Sequence, residues 1–162
     1  GRTGRIVNIL YLVQQGLLDT PILYLSRYIN HNKPDYYRLL QDVRDDSVWE
    51  EWVLFMLEGV RETSYQTIRL IEEIKDLMQK HKIIMRNKQR QIYSQDLLNL
   101  MFSHPYTKIA HAMNKLGVSR PTATRYLDAL TDIKLMHKIK IGRDSYYLNV
   151  DLMDCLRNVH DL

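Results

Sequence analysis

Gly1-Arg2-Thr3-Gly4-Arg5 is the first stretch of the chain whose residue types could do chemistry. Arg2 and Arg5 are three apart, which places them on one face of a helix, a turn from each other. At a helix start the free backbone N–H groups and the positive dipole end join the two guanidinium forks. Together they make an anion site suited to phosphate oxygens. The competing reading is a helix start with two solvated arginines, which so short a pattern produces often.

A second set of polar residues stands near the other end. Ser119-Arg120-Pro121-Thr122-Ala123-Thr124-Arg125-Tyr126-Leu127 reads as a helix whose solvent face carries Arg120, Thr122, Thr124, Arg125 and Asp128. Such residues can bond phosphates and base edges in a major groove. Arg143, in a turn between two short strands, could enter a minor groove, with Lys138 and Lys140 near phosphates. Other chemistry is thinly supplied. The one cysteine, Cys155, excludes an internal disulfide framework and a cysteine-based zinc site. His104 and His111 have no third ligand at suitable spacing, so no metal site is expected.

These residues must be held by mainly α-helical elements. Apolar spacing of three and four over Ile6–Leu17 predicts a buried helix closed by Gly16. Two shorter helices follow, one with Ile22, Leu25, Tyr28 and Ile29, the next with Tyr36, Tyr37, Leu39, Leu40 and Val43. A long spine helix comes next, with a near-heptad stripe of Trp49, Val53, Met56, Val60, Thr67, Ile71, Ile74 and Met78. The stripe suits either the helix's own bundle or a homodimer. Lys80, Lys82, Arg86, Lys88 and Arg90 then crowd a segment without apolar period.

The grammar changes beyond that segment. Ser94 caps one helix, Thr107 opens a second with Ala110 at the crossing, and Gly117-Val118 turns the chain into a third. Alternation from Met136 to Ile141, a Gly142-Arg143-Asp144 turn and Tyr146–Leu148 spell a β-hairpin, and a last helix closes the chain. The expected fold is a helical bundle followed by a winged helix-turn-helix with a small β-hairpin. Its expected divisions are 1–80 as bundle with spine, 81–93 as a basic connector, and 94–162 as the winged helix.

Several segments together resemble the C-terminal part of a Fic domain: Gly1–Val13, Leu18–Ile29, Asp35–Leu40 and Trp49-Glu50-Glu51-Trp52. The family motif reads H-x-F-x-D/E-G-N-G-R-x-x-R, and this chain starts at its last Gly. A winged helix after the Fic core is an arrangement found in bacterial members. The resemblance implies AMP transfer from ATP to a hydroxyl of a target protein, with ATP and Mg²⁺ as the needs of an intact enzyme. It implies that Gly1, Arg2 and Arg5 grip the ATP phosphates and that Tyr37 lies beside the adenine, with Tyr36 in the core. The family's histidine base and metal carboxylate have no counterpart here. His31, His81, His104, His111, His137 and His160 all lie downstream of the arginine pair, none in an H-x-F motif. The expectation is a fragment of a longer enzyme that is inactive alone and holds no cofactor tightly. Some relatives are restrained by Ser/Thr-x-x-x-Glu followed by Gly or Asn; Ser47 to Glu51 has the spacing, but Trp52 follows.

Composition bounds both readings. With 162 residues, 45% hydrophobic and 26% charged, the chain is an ordinary globular one, with no membrane span or signal peptide in view. A cytoplasmic setting is expected. Net charge is +4, divided as 10 Lys and Arg against 12 Asp and Glu up to Lys80, and 13 against 7 beyond. A basic second half favours separate jobs for the two parts. The rival function is therefore a winged-helix, DNA-binding transcriptional regulator with an N-terminal helical dimerisation module.

Overall fold

The computed structural model describes residues 2–19 and 21–158, apart from the side chains of Arg2, Arg5 and Asn158. The chain divides into two compact units, Gly1–Arg69 and Leu70–Leu162. Among the described residues no helix is long and apolar enough to cross a membrane.

The first unit is helical throughout. Helix α1 (Arg2–Gln14) stops where Gly16 turns left-handed at φ +68°, and the amides of Gly16 and Leu17 close on Val13 and Leu12 carbonyls. Helix α2 (Leu25–His31) passes directly into α3 (Lys33–Asp46) through Asn32, whose side-chain amide donates to the Tyr28 carbonyl at 3.0 Å. Pro34 at the start of α3 lacks an N–H where none is needed. Helix α4 (Trp49–Lys88) is continuous across the boundary between the units, and each half is described with its own unit.

Leu25, Ile29 and Tyr36 are buried against Trp52, Phe55, Met56 and Val60 of α4. Gly59 lets α2 approach: a Cβ there would stand 2.5 Å from Cδ1 of Tyr28. Aromatic rings fill the seam, with Tyr28 and Phe55 centroids 5.0 Å apart and Tyr36 and Trp52 5.1 Å apart. Met56, Val60 and Met78 of the expected heptad stripe pack against the cores, but the stripe does not hold throughout. Trp49, Val53 and Ile71 are exposed, and the face turned to α2 and α3 carries Trp52, Phe55, Met56, Gly59, Val60 and Thr63. Partner position and small size at Gly59, not apolar period alone, select the buried face.

The second unit is built around Met85, Leu97, Leu98, Met101, Ala112, Ala123, Leu127, Leu130 and Tyr147. Its elements are the end of α4, α5 (Gln95–Ser103), β1 (Tyr106–Lys108), α6 (Ile109–Leu116), α7 (Arg120–Asp132), β2 (His137–Ile141), β3 (Asp144–Leu148) and α8 (Val150–Asn158). The Ser94 hydroxyl accepts from the Leu97 amide at 3.1 Å, an ordinary N-cap. Gly117 ends α6 in the left-handed region at φ +63°, and α7 begins three residues later.

Two expectations change here, and a third is narrowed. The sheet has three antiparallel strands in the order β1-β3-β2, because Thr107 lies in a strand paired with Tyr147 and does not open a helix. Ala112 is fully buried in α6, whereas Ala110 is exposed, so Ala112 is the small residue in the core. Residues 81–88, read from their charge as a basic connector or the frayed end of the spine helix, form the last turns of α4, with His81 and Met85 buried in this unit. A run of Lys and Arg on one face hides an inward-facing pair on the other.

Candidate functional site

Gly1 lies outside the described residues. Arg2 and Arg5 open α1 as expected, and their side chains also lie outside the description. Gly4, between them, lines an apolar cleft of about 480 Å³ together with Asn8 and Leu12 of α1, Ile29 of α2, Tyr36 and Leu40 of α3, and Trp52 of α4. Gly4, between the two arginines, and Tyr36 of α3 thus border one cleft within the first unit, and Tyr37 is not among its lining residues. Tyr36 is buried, as expected of a core residue. Tyr37 is 63% exposed and its ring lies nearly perpendicular to that of Tyr36, with centroids 5.3 Å apart. Arg44, in the last turn of α3, is exposed.

On α7, Arg120 and Arg125 are exposed, Thr122 and Thr124 half-buried. The Thr122 hydroxyl is 3.1 Å from that of Ser119, and the Arg125 guanidinium lies 5.7 Å from the Tyr126 ring centre. Arg143 is exposed in the β2–β3 turn next to Gly142, whose φ of +62° the turn requires. Arg120, Arg125 and Arg143 form no ion pair with any described residue.

Asp128 and Lys138 differ from expectation. Neither is a free surface group: the Asp128 carboxylate accepts from Lys138 Nζ at 2.7 Å and from the Tyr147 hydroxyl at 2.8 Å. Burial pushes the Asp128 carboxyl up, but hydrogen bonds from Lys138 and Tyr147 and the lysine charge outweigh it, and the net direction is down. Lys138 is held charged by the same carboxylate. Burial raises the Tyr147 hydroxyl. At the far end of the hairpin, Lys108 donates to Asp144 at 2.9 Å and lies 4.4 Å from the Tyr146 ring centre. The Tyr146 hydroxyl and then Asp144 hold its ammonium above the ordinary lysine range.

Two polar anchors of the second unit carried no sequence signal. Asn149 is fully buried, donating to the Met101 carbonyl at 3.1 Å and accepting from the Leu152 amide at 3.1 Å. His81, also buried, binds Asp151 of α8 through Nε2 at 2.9 Å and packs edge-on against Phe102. Cys155 is half-buried, its thiol pushed up by burial and then by Glu73, Asp151 and Asp154, which suits an inert structural thiol.

A comparison with known protein families matches residues 77–152 to the C-terminal domain of SoFic-like protein adenylyltransferases. The matched segment runs from the last turns of α4 into α8 and takes in the whole three-stranded sheet. It also contains both members of the His81–Asp151 pair and the buried Asn149. This match supports reading the chain as a C-terminal fragment of a Fic-type adenylyltransferase.

Proposed function

We propose that this chain serves protein adenylylation: transfer of AMP from ATP to a hydroxyl group of a target protein, in an intact enzyme of which these residues are the C-terminal part. The observation that carries the reading is the family match over residues 77–152. Beside it stands the sequence at the head of α1. Gly1, Arg2 and Arg5 are assigned to the ATP phosphates and Tyr37 to the adenine. Transfer of such a group depends on positioning and charge neutralisation, which guanidinium forks at a helix start supply.

The described residues gather no catalytic Mg²⁺ site. Among the described residues no three His, Cys, Asp or Glu side chains converge on a point. Mg²⁺ and the general base are accordingly assigned to the intact enzyme, and no step is routed through them here. The setting proposed is the bacterial cytoplasm. The test is labelling of cell extract by the intact enzyme with radioactive ATP. Labelled protein should appear, and Arg2→Ala or Arg5→Ala should remove most of the label. Full labelling by both variants would overturn the assignment of the arginines; no labelling by the wild-type enzyme in any extract would overturn the activity.

The second unit is given a docking role. Arg120, Arg125 and Arg143 are exposed and unpaired among the described residues, and α6, α7 and the β2–β3 hairpin have the order of a winged helix. DNA is the proposed partner. A gel shift that weakens steeply with salt and is lost in an Arg120→Ala, Arg125→Ala double variant is expected. Absence of any shift at low salt would refute it. A homodimer through α4 is the remaining proposal on partners, to be checked by the mass in solution.

A further inference from the structure

His104 and His111 are separated in sequence by all of β1, yet their ring centroids are 5.9 Å apart with planes inclined at 60°. His104 is exposed at the end of α5, and His111 is half-buried in the first turn of α6. The Nε2 atom of His111 is buried with no hydrogen-bond partner. So is the hydroxyl of Thr107, in the adjoining strand β1. Buried polar atoms are nearly always paired, so two orphans in one short segment call for a ligand.

We propose that His104 and His111 form a two-nitrogen site for a divalent transition-metal ion of the zinc, copper and nickel class. With metal–nitrogen bonds of about 2.1 Å, two imidazoles on one ion have ring centres roughly 5–6 Å apart, the separation already present. A metal ion needs the lone pair of a neutral imidazole nitrogen, and the His111 Nε2 is buried with no hydrogen-bond partner to compete for it. The exposed His104 ring can turn to bring a second. Imidazole pairs select Zn²⁺, Cu²⁺ and Ni²⁺ over Mg²⁺ and Ca²⁺, which prefer oxygen. Among the described residues no third His, Cys, Asp or Glu completes the set. The ion therefore keeps open coordination positions, which water fills or a bound molecule can take.

The test is titration of the full chain with ZnCl₂, followed by the ring-nitrogen signals of ¹⁵N-labelled histidine, with MgCl₂ as the comparison ion. Signals of His104 and His111 should shift together and saturate at one ion per chain, while Mg²⁺ leaves them in place. His104→Gln, an exposed position whose change leaves the core intact, should weaken Zn²⁺ binding roughly tenfold or more, and His111→Gln at least as much. His31→Gln should leave it unchanged. Equal shifts at every exposed histidine, or unaltered affinity in His104→Gln, would overturn the site and leave the two rings as a packing contact.

Discussion

Replacing Asn149 by alanine removes two bonds from the centre of the second unit, and the structure sets how much that costs. Met101 lies near the end of α5, where its carbonyl would ordinarily bond the amide four residues on. That residue is Pro105, which has no N–H, and the Asn149 side chain supplies the missing donor at 3.1 Å. The other end of the same amide caps α8 through the Leu152 N–H at 3.1 Å. Losing an N-cap costs about 1 kcal/mol, and a buried carbonyl left without a donor costs about 1–3 kcal/mol, so Asn149→Ala should destabilise by roughly 2–4 kcal/mol. In a domain of this size that lowers the melting temperature by roughly 10–20 °C, read by far-UV circular dichroism. Asn149→Asp separates the two roles, because a carboxylate can still accept from Leu152 but cannot donate to Met101. Facing a carbonyl in a buried site, the new acid would have its folded pKa raised above the unfolded value. Its protonated form supplies the donor, so its deficit against the wild-type protein should narrow as pH falls and widen as pH rises. A change under about 0.5 kcal/mol in Asn149→Ala, the range of ordinary surface substitutions, would refute the reasoning.

Gly59→Ala should destabilise the first unit, since overpacking against Tyr28 costs about 1–3 kcal/mol and the gain in helix propensity returns only about 1 kcal/mol. Tryptophan fluorescence reads this directly, because Trp49 and Trp52 both belong to that unit; an unchanged or raised midpoint would count against the close approach. Asp128→Asn should destabilise the second unit at neutral pH by at most about 1 kcal/mol, the pair being partly exposed. The folded carboxyl is depressed, so its contribution is full above the unfolded value of about 3.9 and fades as pH falls through the folded value. Urea midpoints of the two proteins should therefore converge in acid; a gap independent of pH would show that charge is not the cause. The chain of 162 residues, incubated with labelled ATP and Mg²⁺, should transfer no AMP, a missing general base alone costing ~10²–10⁴-fold in rate. Label incorporation abolished by Arg2→Ala would contradict this.

Order and type of the elements were legible because the local signals are strong. Ser94 before Leu97 and Leu98, Gly117 between two apolar periods, and alternation through Lys138–Ile141 each admit few alternatives. The third strand was not legible. Tyr106-Thr107-Lys108 is too short for a period, and its strand state comes from pairing with β3, some forty residues away. The buried face of α4 was placed only in part, for a related reason: Met56 and Val60 fell on it, but Trp49 and Trp52 are equally apolar and only the position of α2 and α3 chooses between them. At the candidate sites, exposure of Arg120, Arg125, Arg143 and Tyr37 followed from composition and helix phase. The capture of Asp128 by Lys138 and Tyr147 did not, nor did the meeting of His104 and His111. Those contacts are made across elements, and single-sequence spacing holds no record of them.

The Asp128 carboxylate is grasped from both strands of the hairpin, by Lys138 on β2 and by Tyr147 on β3. The hairpin is thus no independent flap hinged on the end of α7. Both bonds join the hairpin to α7, so Arg120 and Arg125 on the helix and Arg143 in the turn sit on linked elements.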